Sequence, residues 1–319
     1  MTRQQKELGL SYDWDREVTT CKEDYYKWTQ WFFELMYKRG LAVKKEAAVN
    51  WCDHCNTVLA NEQVIDGKCW RCDNPVEKKN LSQWFFKITD YAERLLEDLD
   101  KLPGWPERVK TMQRNWIGRS EGLEFAFDCP DLGTKLAVYT TRPDTIYGVT
   151  FVVIPPEHPL VAKLLENNPK KAELEAFCDK VRNTSDIERT SSESEKLGMY
   201  TGHDCIHPLT GEKVQIWITN YVLVDYGTGA VMGVPSGDHR DWMFATKYGI
   251  KKILTLQPKD KELKLEEMTD AYEEKDGVLV NSGPFTGMEM HKAVGAIIDY
   301  MEEKGLGKRR VNYRLRDWL

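Results

Sequence analysis

The stretch GTGAVMGVPSGDHRD, residues 227–241, reads as a glycine-rich turn, a short apolar strand, a proline turn and a polar cluster of Asp238, His239, Arg240 and Asp241. The residues that follow, DWMFATKYG, have helical spacing, so the chain passes from strand to helix through a charged corner. Outward from this corner, LAVYTT, VTFVVIP, VQIWI and AVMGVP are dense in β-branched and apolar residues and are bounded by Gly, Pro or Asn. Such segments predict strands. One helical and polar excursion, roughly residues 160–198, interrupts them. Strands that resume after a helical detour predict a mixed α+β body with a curled sheet.

A second polar stretch, TTRPDT at residues 140–145, stands at the end of a strand, where Pro143 halts the ladder and turns the backbone outward. Its threonines, Arg142 and Asp144 suit a hydroxylated or phosphorylated ligand, or a turn whose side chains bond their own backbone. On residue types alone the turn is favoured. Asp238 and Asp241 leave a similar choice. Two carboxylates at that separation suit a ligand ammonium, and Asp at a helix start also caps exposed N–H groups.

The N-terminal part has a different texture. Tyr25, Trp28, Trp31, Phe32, Leu35 and Met36 recur at helical spacing up to Gly40, predicting a helix buried on one face, with the aromatics as core. YAERLLEDLDKL, residues 91–102, is a further helix, stopped by Pro103-Gly104. Between them lie short turns and two C-x-x-C pairs, Cys52/Cys55 and Cys69/Cys72, with thirteen residues between the pairs. Two cysteines three apart on a tight turn aim both sulfurs at one ion, and a hairpin such as NEQVIDGK brings over the second knuckle. The spacing therefore predicts a structural zinc held by four thiolates, closed to catalytic water. Cys21, Cys129, Cys178 and Cys205 have no ligand spacing and are read as ordinary residues.

Bulk composition sets limits. With 319 residues, 41% hydrophobic and 30% charged, the chain has material for a sizeable core and two or three units. No apolar run approaches the roughly 20 residues needed to span a bilayer, and MTRQQKELGL is no signal peptide, so the expectation is a cytoplasmic protein. A net charge of −6 argues against a surface that grips nucleic acid everywhere. Local clusters exist at Lys101, Arg108, Lys110, Arg114 and Arg119, and in GKRRVNYRLRDW, but each alone reads as a solvated face or as scattered ion pairs.

TTRPDT and GTGAVMGVPSGDHRD together resemble the connective editing insertion of the class I synthetases for leucine, isoleucine and valine. Asp144 before the last Thr, and Met232 after GTGAV, make the leucine enzyme the most similar. AVNWC, TVLANEQVIDGKCWRC, TMQRNWIGRSEG and VNYRLRDW are also similar to leucyl-tRNA synthetase of the bacterial type, so nearly the whole chain is covered. The resemblance implies an α+β fold: a β-barrel-like editing domain at 123–308, a zinc-ribbon module at 51–80 and a helical connector at 81–122. Partial Rossmann-core segments are implied at 1–50 and 309–319, cut on both sides.

It further implies hydrolysis of the ester of misacylated leucine tRNA, carrying Ile, Met or norvaline-like residues, with the tRNA acceptor end and the rest of the synthetase as partners. Asp241 matches the anchor of the substrate α-ammonium, with Asp238 assisting. Thr145 matches the threonine that refuses leucine. Thr140 and Thr141 match the adenosine and carbonyl region, and Arg142 a position near the tRNA end. Tyr226, Met232 and Val234 match the pocket wall, and Arg240 is placed with the substrate contacts. Where many relatives have His, this chain has Gly237. The His-x-Gly-His and Lys-Met-Ser-Lys-Ser motifs of amino-acid activation are absent, so ATP is expected only in the full-length enzyme.

Overall fold

The structure, a computed structural model, describes residues 2–60, 63–182, 184, 189, 194–223 and 228–318. The chain divides into two units: Met1–Ile117 with Leu315–Leu319, and Gly118–Arg314.

In the first unit, β1 (Ala42–Cys52) pairs antiparallel with β2 (Thr57–Leu59) and, from Ala42↔Phe86 to Trp51↔Glu77, with β5 (Glu77–Phe86). A two-stranded ribbon, β3 (Val64–Ile65) and β4 (Lys68–Cys69), turns through Asp66-Gly67, both at positive φ. Helices run over Glu23–Lys38, Ala92–Leu99 and Glu107–Ile117, the last two separated at Pro103-Gly104 as the sequence requires. The expected buried face of the Glu23–Lys38 helix is not found. Trp28, Trp31 and Phe32 are more than half exposed, and no residue of the helix is buried. Helical periodicity reports that one face is apolar, not what covers it. Within this unit Phe33 and Tyr37 pack edge-on against Trp84, at 5.1 and 5.7 Å.

The second unit is built on a seven-stranded sheet. Its order is β11 (Val231–Gly233), β8 (Phe151–Ile154), β10 (Lys213–Thr219), β9 (Gly198–Ile206), β6 (Arg119–Cys129) and β14 (Gly307–Tyr313), with β7 (Thr134–Thr140) also pairing β6. The β8/β10 ladder is parallel. The sheet curls until β11 and β7 lie near one another, but no ladder joins them among the described residues. The body is therefore a curled α+β sheet rather than a closed barrel.

Burial explains why β8 is an unbroken apolar run. Val152 and Ile154 face a core with Leu123, Phe127, Ile146, Ile216 and Ile218, covered by Met290, Ala293, Ile297 and Met301 of the Met290–Glu303 helix. Phe151 and Val153 face the other way, onto Trp217, Tyr221 and Phe244. A strand buried on both faces cannot alternate apolar with polar residues. The C-terminal basic run forms ion pairs: Lys308 and Arg310 with Glu124, and Arg309 with Glu121 and Asp299. Lys101, Lys110 and Arg114 likewise pair with acids of their own unit.

Candidate functional site

Thr140 ends β7, and Pro143 opens a 3-10 turn, Pro143–Gly148. The threonine and arginine side chains serve the backbone here. Thr140 Oγ1 accepts the Arg142 N–H at 2.9 Å, and Thr145 Oγ1 donates to the Arg142 carbonyl at 2.8 Å. Arg142 grips Asp144 through Nε at 3.0 Å and Nη2 at 2.8 Å. Asp144 and Thr145 are buried, whereas Thr141 is exposed at the rim. Such a bidentate guanidinium–carboxylate pair stiffens the corner.

The second loop starts from β11. Met232 and Val234 are buried in the same core as Ile146. Tyr226 and Gly227 lie outside the described residues. Ser236 Oγ donates to the Ile253 carbonyl, and the Ser236 carbonyl accepts the Tyr272 N–H at 2.9 Å. The two aspartates then divide the roles that sequence left open. Asp238 caps the His239–Tyr248 helix, accepting the Arg240 and Asp241 N–H groups, and its carboxylate also pairs with the Arg240 guanidinium at 3.2 Å. Asp241 is turned inward. It accepts the Val234 N–H at 2.9 Å and the Tyr221 hydroxyl at 3.3 Å, and no ion pair reaches it among the described residues. Burial, and secondarily the Asp238 charge, push its carboxyl up to about 7.

The two loops meet at one point. A Cβ on Gly237 would stand 3.4 Å from the Thr145 methyl, an ordinary contact, so Thr145 and the Ser236–Asp238 turn lie close beside one another. The convergence is produced by the β8–β11 ladder, where Gly233 pairs with Phe151 and accepts the Thr150 N–H at 3.1 Å. Gly233 is required there, since any Cβ would stand within 2.6 Å of three atoms of the Phe151 ring. Tyr221 and the Val234 N–H carry no sequence signal of their own. Only the fold brings them to the site.

In the first unit, Cys52, Cys55, Cys69 and Cys72 place their sulfurs within 4.8 Å of one another. The Cys52–Cys72 and Cys55–Cys69 separations are 3.4 and 4.0 Å. A tetrahedral ion with metal–sulfur bonds of about 2.3 Å needs edges of about 3.8 Å, so the set fits. The module's own core is small, Cys52, Leu59 and Cys69 with Val64 and Val76, which leaves much of its cohesion to a bound ion. Cys129, Cys178 and Cys205 are buried in the second unit, and Cys21 is exposed.

Residues 114–302 match the family model of the leucyl-tRNA synthetase editing domain. Residues 1–140 match the model of class I tRNA synthetases for I, L, M and V. The leucine–tRNA ligase of Thermotoga maritima is 57% identical over 317 residues, covering 99% of this chain and 38% of that protein. The ligase of Symbiobacterium thermophilum is 56% identical and covers 100% of this chain and 38% of that protein. Among solved structures, the leucyl-tRNA synthetase of Agrobacterium radiobacter K84, in a ternary complex with tRNA and LeuAMS, is 34% identical with a TM-score of 0.72, covering 100% of this chain and 36% of that one. The chain thus spans little more than a third of the length of the relatives it matches. With the editing-domain match extending over both loops and the Asp241 corner, the chain belongs to the leucyl-tRNA synthetase family.

Proposed function

We propose that the second unit is a post-transfer editing site that hydrolyses the ester of misacylated leucine tRNA carrying Ile, Met or norvaline-like residues. The observation that carries this reading is Asp241: a buried carboxylate with a backbone N–H and a Tyr hydroxyl on it and, among the described residues, no ion pair. Such a group is poised for a ligand ammonium, which would compensate its charge and hold the ester in place. Thr145, whose methyl lies beside Gly237, limits the side chain admitted, so leucine is refused. A pocket that sorts by one methylene gains only about 1–3 kcal/mol per site, which is why a second, hydrolytic site is useful.

In the reaction a water oxygen attacks the ester carbonyl. The ribose oxygen leaves and takes a proton, giving free amino acid and deacylated tRNA. Thr140 and Thr141 serve the adenosine and carbonyl region and Arg142 the tRNA end, with Met232 and Val234 in the pocket wall and Arg240 among the substrate contacts; Tyr226, assigned to the same wall, lies outside the described residues. The chemistry is positional: backbone and threonine groups hold the attacking water, with the substrate's own ribose hydroxyl as a further hydrogen-bond partner, and the water's proton passes to the leaving ribose oxygen. The four cysteines hold a structural zinc in the module at 51–80. Residues 1–50 and 309–319 belong to the activation core, 81–122 form a helical connector and 123–308 the editing domain. ATP and amino-acid activation belong to parts of the full-length cytoplasmic enzyme that this chain does not carry.

A second reading, a docking module for tRNA or for the remainder of the synthetase with little turnover, is favoured by the exposed Trp28, Trp31 and Phe32 ridge. Turnover decides between the two. Deacylation of Ile-tRNA and Leu-tRNA, both on leucine tRNA, is measured for this chain and for Asp241→Ala and Thr145→Ala. Loss of Ile alone, abolished by Asp241→Ala and extended to Leu by Thr145→Ala, supports the editing reading. No hydrolysis above the uncatalysed rate by a folded chain leaves the docking reading.

A further inference from the structure

His207 follows β9 and is 2% exposed. Both ring nitrogens are engaged. Nδ1 accepts the N–H groups of Leu209 and Thr210, each at 3.2 Å, so that nitrogen carries no proton. The ring proton therefore sits on Nε2, which donates to the Ile146 carbonyl at 2.9 Å. Ile146 is fully buried and directly follows Thr145. The imidazole lies against the rings of Phe127 and Tyr147, with centroids 5.9 and 6.4 Å away. One rigid side chain thus ties the β9–β10 hairpin to the 3-10 turn that carries Thr145, across 61 residues of sequence.

The side chains of that turn are packed, with Ile146 in the main core and Tyr147 against Phe285, but few hydrogen bonds fix the depth of its backbone. Its own bonds are Thr145 N–H and Oγ1 to the Arg142 carbonyl, at 3.1 and 2.8 Å, and a longer Val149 N–H to the Ile146 carbonyl at 3.3 Å. Bonds internal to a turn hold its shape but not its place against the sheet. The Ile146 carbonyl is anchored from outside by His207, and it is one peptide from the residue whose methyl faces Gly237. We propose that His207 is a positioning residue for editing specificity: by donating to Ile146 it holds Thr145 at the depth that excludes leucine. This inference rests on the editing reading given above.

Two substitutions separate the halves of the ring. In His207→Gln the amide nitrogen reaches about where Nε2 stands and keeps the bond to Ile146, but the acceptor for Leu209 and Thr210 is lost. In His207→Asn the amide oxygen stands about where Nδ1 was and keeps the hairpin bonds, but the link to Ile146 is lost. Deacylation of Ile-tRNA and Leu-tRNA is measured for both variants and for Thr145→Ala, with kcat and KM separated and thermal unfolding followed in parallel. Expected is a Leu/Ile ratio of kcat/KM at least roughly tenfold above wild type for His207→Asn, with His207→Gln near wild type, a change the size of one methylene's discrimination. Both variants are expected to lose similar thermal stability, so a merely structural role predicts equal selectivity. Equal selectivity of the two variants, or selective loss in His207→Gln, overturns the proposal. If Thr145→Ala admits leucine and His207→Asn does not, His207 falls while the editing reading stands. If the wild-type chain does not deacylate at all, both fall.

Discussion

Replacing Asp241 by Asn removes a charge while keeping the shape of the site. The amide oxygen still accepts the Val234 N–H, and the amide nitrogen donates to the Tyr221 oxygen. What disappears is the cost of a buried anion. The folded protein raises this carboxyl from 3.8 to about 7. The folded pKa lies above the unfolded one, so any stabilisation from this group is complete well below pH 3.8 and is lost as the pH rises through 7. At about 1.4 kcal/mol per unit the penalty reaches about 4 kcal/mol at pH 8, and a little under half of that at pH 5. The Asn variant should therefore gain roughly 2–3 kcal/mol over wild type between pH 5 and pH 8, or about 5–10 °C in Tm. Unfolding of both proteins at the two pH values measures this directly. Deacylation should fall at least about a hundredfold in the same variant, since the ammonium loses a charge-assisted partner. Parallel stability profiles, or a variant less stable than wild type at pH 8, would refute the account of Asp241 as an uncompensated buried charge.

Gly237 has no positive φ and room for a Cβ, so Gly237→Ala should fold with unchanged Tm yet cut deacylation several-fold by placing a methyl against Thr145. Unchanged kcat/KM for Ile-tRNA would show that the substrate does not enter there. Phe244→Ala empties a fully buried position between Phe151 and Trp217 and should cost about 3–5 kcal/mol in denaturant unfolding. Because Phe244 also contacts Tyr221, the variant should lose activity even where folded; full activity would separate that packing from Asp241. Removing a metal from Cys52, Cys55, Cys69 and Cys72 should abolish amide-exchange protection in β1 and β2 and leave β8 and β10 protected. Protection unchanged in both would mean that the sulfurs hold no structural ion.

What the sequence made legible depended on how local the cause was. The two C-x-x-C knuckles and the apolar run of β8 each carry their reason within a few residues and stand where expected, whereas the helix expected to run to Leu102 ends at Leu99, short of Pro103-Gly104. The Glu23–Lys38 helix was legible as a helix, but the fate of Trp28 and Trp31 depends on what lies opposite, which periodicity does not encode. The Asp238/Asp241 pair was legible as polar, but not as one cap and one inward carboxylate. That split follows from the partners the fold supplies: Asp238 bonds the helix's own first N–H groups, while Asp241 meets the Val234 N–H and the Tyr221 hydroxyl. His207 sits in IHPLTG, a stretch that reads as a turn, and its partner Ile146 is 61 residues away.

The distance between the two loops is itself set by strand register. The Pro143–Gly148 turn runs into β8, and β11 runs into the Val234–Asp238 corner, so the pairing of Phe151 with Gly233 fixes how far Thr145 stands from Gly237. A slip of one residue would move the loops by about 3.3 Å relative to each other, enough to undo the approach of Thr145 to Gly237. It would also exchange the two faces of β11 and set a side chain where Gly233 now meets the Phe151 ring. The packing that makes β8 apolar on both faces therefore also sets how the two loops approach one another. Substitutions on β8 should accordingly alter which amino acid is released before they alter whether the unit folds. Val152→Ala, which loosens the ladder from the core side while leaving Phe151 in place, is the variant in which selectivity and stability should part. Selectivity preserved after a measurable loss of stability would show that the loops keep their spacing independently of the sheet.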